Sequence, residues 1–84
     1  MPTIASFYGI AIMMFLLDKE HNPPHIHAFY GEFEASFTIQ SGDIMNGSFQ
    51  KNGKRLVKQF VNRYKNELLE MWNTGIYQKL PPLS

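Results

Sequence analysis

Cysteine is absent from the chain, which excludes a disulfide staple and a thiolate-bound metal and fits a reducing cytoplasm. A long hydrophobic run is absent too. Phe7 to Leu17 is an uncharged stretch of eleven residues, whereas a membrane helix needs about 20. No Lys or Arg precedes it and Asp18-Lys19-Glu20 follows it, so it does not read as a secretory signal. A soluble, cytoplasmic protein without membrane contact is expected. Glycine-rich phosphate loops, paired-carboxylate patterns and zinc-finger spacings are missing, as are internal repeats and linkers. Familiar nucleotide-binding and finger chemistries have no foothold.

What remains is enough for one small domain. The 84 residues include 44% apolar types and twelve aromatics, a payload that supports folding rather than disorder. A chain of this length buries only about 60% of its unfolded surface, so its stability margin is thin. Net charge is +1, but residues 1–50 carry one base against five acids. Six of the eight bases lie between Lys51 and Lys65. Such asymmetry can mark an anionic partner.

The pattern predicts an α+β fold: an antiparallel meander of about four strands with one long C-terminal helix packed on one face. The strands are expected near 9–17, 25–30, 33–40 and 43–49, the helix near 53–74 and an extended tail over 75–84. Gly9 to Leu17 is apolar on both faces, more than a strand in a one-layer sheet needs. The tail, a partner or a second copy of the chain is expected to cover the spare face. Tyr30-Gly31-Glu32-Phe33 fits a two-residue type II′ hairpin with Gly31 first. That register opposes Tyr30 to Phe33, Ala28 to Ala35 and Ile26 to Phe37. On the other face it opposes Phe29 to Glu34, His27 to Ser36 and His25 to Thr38. His25 and His27 then share a face and are expected outside the core. Asn52-Gly53 is read as the helix start, with Asn52 as N-cap. Leu56, Val57, Phe60, Val61, Tyr64, Leu68, Met71 and Trp72 fall within roughly 160° of one helical face. Gly75 suits the position after the helix.

All three histidines and two of the five prolines lie in His21-Asn22-Pro23-Pro24-His25-Ile26-His27. Pro23-Pro24 is a stiff extended elbow. His25 and His27 could chelate a divalent metal, with His21 or Glu34 as third ligand, in an open site of the catalytic-zinc type. Without metal the same imidazoles could act as acid and base. A purely structural reading has them hydrogen-bonding loop carbonyls and holding the elbow. Lys51, Lys54, Arg55 and Lys58 sit at the helix start, where the dipole prefers acids. They either bind an anion or form a solvated face. The aromatics Phe7, Tyr8, Phe29, Tyr30, Phe33 and Phe37 read as core, since the bases are not interleaved with them. Leu80-Pro81-Pro82-Leu83 is expected to dock on its own domain.

The elbow, with Phe7-Tyr8-Gly9-Ile10 before it and Tyr30-Gly31-Glu32 after it, resembles a family of short bacterial proteins. That family is catalogued as a domain of unknown function, number four-one-six-zero. The resemblance runs from Met1-Pro2-Thr3-Ile4 to the closing Pro-Leu. It points to His21, Asn22, Pro23, Pro24, His25 and His27, with Tyr8 and Gly9 nearby. Members are often encoded beside another small protein and have been suggested to form toxin–antitoxin-type pairs, which implies an interacting partner. Met13 and Ala5-Ser6 depart from positions where the family is expected to carry arginine.

Three functional expectations follow. The first is an interaction component of a toxin–antitoxin-like pair, as a homo-oligomer or with a small protein from a neighbouring gene. The second is a histidine-based or metal-dependent hydrolase or ribonuclease. The third is a nucleic-acid binder without chemistry, whose affinity would fall steeply with salt.

Overall fold

At Tyr8-Gly9 the chain reverses with positive φ at both residues, 51° and 79°, a two-residue turn that matches the twist of a tight hairpin. In the computed structural model, which describes residues 3–14, 23–76 and 78–82, this turn joins two antiparallel strands. They are β1, Thr3–Phe7, and β2, Ile10–Met13. Next come β3, His25–Tyr30, β4, Phe33–Thr38, and β5, Ile44–Ser48. The sheet is an antiparallel meander in the order β1-β2-β3-β4-β5. It has five strands where four were expected. The added one is β1, hidden because Ala5 and Ser6 interrupt any apolar alternation. The expected first strand is shorter at its described end, and 15–17 lie outside the described residues.

The β3–β4 register matches expectation at all six pairs, from His25↔Thr38 to Tyr30↔Phe33. Gly31 has φ 59° and Glu32 is not left-handed, as a type II′ turn requires. Two bulges interrupt the edges. Thr3 and Ala5 oppose Met13 and Ile12, which leaves Ile4 as the extra residue. Ser36 and Phe37 oppose Asn46 and Ile44, which leaves Met45 as the extra residue.

The helical segment is two helices, α1 over Lys51–Arg63 and α2 over Lys65–Thr74. Tyr64, at φ −111° and ψ 27°, leaves helical geometry between them. No glycine or proline marks the break, so a continuous apolar stripe read as one helix. The start also differs: extended Gln50 is the N-cap, not Asn52. Gly53 lies inside the first turn for a packing reason, since a Cβ there would meet the Phe49 ring at 2.8 Å. Gly75 ends α2 in the left-handed conformation, its N–H donating to Met71 O.

One sheet face carries Ile10, Ile12, Ile26, Ala28, Ala35 and Phe37, all buried against Val57, Phe60 and Val61 of α1. Each fully buried aliphatic or aromatic chain contributes roughly 1.5–3 kcal/mol. Phe7 stacks on Phe60 at 5.0 Å, and Phe37 meets Phe49 edge-on at 5.4 Å. Of the expected docking segment, Leu80 is buried and its N–H donates to Ile4 O at 2.8 Å, Pro81 and Pro82 are exposed, and Leu83 lies outside the described residues.

Gly47, at φ +87°, approaches β4 so closely that a Cβ would lie 2.5 Å from Glu34 O and 3.0 Å from Ala35 Cα. Gly47→Ala is expected to cost about 1–3 kcal/mol in backbone strain alone, with the clash in addition. Urea denaturation with an unchanged midpoint would contradict this account of the β4–β5 contact.

Candidate functional site

The Pro-Pro elbow is pinned at both carbonyls. Pro24 O accepts the Ile39 N–H at 3.0 Å, which extends the β3–β4 ladder past its last pair. Pro23 O accepts from His25 Nδ1 at 2.8 Å. A carbonyl can only accept, so this bond places a ring proton on Nδ1, and in the neutral ring the basic lone pair is on Nε2. For His25 the loop-carbonyl reading of the histidines holds.

His25 also corrects an expectation. Strand alternation put it outside the core, yet it is only 7% exposed. The Trp72 ring of α2 lies 5.1 Å from it, centroid to centroid. Alternation distinguishes the two sheet faces but takes no account of a second helix reaching the end of a strand. The His27 ring stands 5.1 Å from that of His25. Its Nδ1 is 3.3 Å from Ser36 Oγ, so one of these two atoms donates to the other.

His27 belongs to a row that crosses the outer face of the sheet. Met13 opposes His27, His27 opposes Ser36, and Ser36 opposes Asn46. A parallel row runs Ala11, Phe29, Glu34, Ser48. Ala11, Met13, His27, Phe29 and Ser36 keep intermediate exposure. The face is thus apolar towards β2 and polar towards β5, where Glu34, Ser36 and Asn46 line a shallow groove.

Other candidates lie elsewhere. Tyr8 does not join the histidines: its turn is at the Ile10↔Tyr30 end of β2, whereas the elbow is at the Met13↔His27 end. Sequence proximity in the family pattern does not carry over to space, and Tyr8 is 61% exposed. His21 and Asn22 lie outside the described residues. Among the described residues no three His, Cys, Asp or Glu side chains group as metal ligands, so Glu34 does not complete a triad with His25 and His27. Sequence reasoning missed Trp72 as a site residue. Its place on the helical stripe was legible, but its partner was not.

Lys54, Arg55 and Lys58 line a groove with Asp43, Ile44 and Phe37, on the side of α1. Lys58 Nζ donates to Asp43 at 3.0 Å. That hydrogen bond, then one from Ser41 and the Lys58 charge, hold the Asp43 carboxyl below its ordinary value of 3.8.

His25→Ala is expected to shift Trp72 emission to the red and to cost about 0.5–1.5 kcal/mol through the lost hydrogen bond to the Pro23 carbonyl. His27→Ala should leave the emission unchanged. Equal spectra for both variants would break the His25–Trp72 assignment. Because folding lowers the Asp43 pKa, its contribution to stability is complete above the ordinary value and is lost as pH falls from there through the folded value. Carboxyl NMR titration of Lys58→Met is expected to return Asp43 towards 3.8. A titration identical to wild type would remove Lys58 as the cause.

No helix of the described residues is long and apolar enough to cross a membrane. Comparison with curated proteins and with solved structures gave no match. A family model described as Domain of unknown function (DUF4160) matches residues 9–73, which span β2 to α2 and include the elbow. The chain belongs to that family.

Proposed function

We propose that this protein is the interaction component of a two-protein pair of the toxin–antitoxin kind, and that the outer sheet face is its contact surface. The observation that carries this reading is the half-exposed group Ala11, Met13, His27 and Phe29 on an ordered sheet, beside the polar Ser36, Glu34 and Asn46. Apolar and aromatic anchors next to a few polar groups are what interface cores favour. The pinned elbow supports it too, because a rigid frame lowers the entropy cost of association. The pairing habit expected of the family supplies the class of partner, a small protein from a neighbouring gene.

A second reading rests on the 3.3 Å approach of Ser36 Oγ to His27 Nδ1. It makes the same face a histidine-based hydrolytic site.

The test co-expresses the chain with the product of the adjacent gene. Co-elution is expected for wild type and is expected to be lost in Met13→Glu and Phe29→Glu, with circular dichroism unchanged. Absence of any wild-type complex would end the interaction reading. Growth arrest on inducing the chain alone, relieved by His25→Ala/His27→Ala at matched expression, would replace it with the hydrolytic one.

A further inference from the structure

The two edges of the sheet are treated differently. On the β1 side the tail lies alongside, with the Leu80 N–H bonded to Ile4 O. On the β5 side no strand of the described residues pairs with the outer edge, and all five residues of β5 are exposed. An edge strand turns alternate N–H and C=O groups outward, and natural proteins commonly guard it with Lys or Pro. Ile44–Ser48 contains neither. It presents Ile44 and Met45 to solvent instead, 37% and 41% exposed.

The charge beside this edge is one-sided. The groove between β5 and α1 is lined by Phe37 and Ile44 and by Lys54, Arg55 and Lys58. Asp43 is the acid lining it, and its carboxylate is bound to Lys58. Lys54 and Arg55 stand near the α1 N-terminus, where the dipole disfavours cations, and the first turn carries no acid. Negative charge is what this groove lacks.

We propose that the β5 edge and its basic groove receive an extended acidic strand from the partner protein. The strand pairs by its backbone with β5 and lays carboxylates over Lys54 and Arg55. The proposal rests on the interaction reading and gives the partner its chemistry. Side chains of an added strand alternate, so acids on the helix side coexist with apolar residues beside Met45. The Met45 bulge and left-handed Gly47 bend the edge. The pairing is therefore short, and charge carries much of the affinity. A phosphate backbone would supply charge but no row of N–H and C=O groups to complete the edge.

The probes are a short fluorescein-labelled peptide of alternating Glu and Val, its Lys–Val counterpart, and a labelled single-stranded RNA, read by anisotropy. The Glu–Val peptide is expected to bind, more weakly as salt rises, while the Lys–Val peptide does not bind. N-methylation along one of the peptide's two edges should abolish binding. Lys54→Glu/Arg55→Glu changes exposed residues and is expected to weaken binding about tenfold or more. Failure of the Glu–Val peptide to bind, binding unaltered in the variant, or preferential capture of the RNA would overturn the proposal. Partner co-elution that survives Lys54→Glu/Arg55→Glu but not Phe29→Glu would remove it while leaving the interaction reading intact. Loss of wild-type co-elution would remove both.

Discussion

Everything in this fold depends on the register of β3 against β4. With Ile26 opposite Phe37 and Ala28 opposite Ala35, one face of the hairpin is wholly apolar and closes on α1. Slippage of β3 by one residue would turn His27 into the core and Ile26 out of it, and slippage of β4 would do the same with Ser36 and Phe37. Neither could be accommodated, because Ile26 and Phe37 are almost completely buried. The same constraint that builds the core therefore delivers His27, Ser36 and Glu34 to the opposite face.

The elbow extends this logic. Its carbonyls are used twice, once by the backbone of Ile39 and once by the imidazole of His25. Trp72 then backs the same imidazole from α2. Ile39 and, through His25, Trp72 thus converge from distant parts of the sequence on one short segment that has almost no conformational freedom of its own. The break at Tyr64 belongs to this arrangement, since it sets the direction in which α2, and with it Trp72, leaves α1. The Tyr64 ring stays against Phe60 at 5.1 Å across the change of direction.

The hairpin was readable from the sequence because its pattern is local and self-consistent: each residue of 25–30 has its partner in 33–38, within fourteen positions of it. The apolar stripe of the helices was readable for the same reason. What the sequence did not disclose depends on contacts between remote parts. β1 carries no alternation and exists because β2 pairs with it. The helix break has no breaker residue. Gly53 reads as a start signal when its role is to admit the Phe49 ring. The burial of His25 needs a tryptophan from the far end of the chain. Of the site residues, the sequence placed His27, Ser36 and Glu34 on one face, but it drew Tyr8 towards the histidines when the strand direction sets it at the opposite end.

The bond between Leu80 and Ile4 has a geometric corollary. It brings the beginning and the end of the described chain to the same margin of the sheet, four strands away from β5. Closely spaced ends are what make chains amenable to permutation and fusion. A second domain joined at either end of this one would leave from the β1 margin, and a short linker would suffice to keep it clear of both the outer face and the β5 groove.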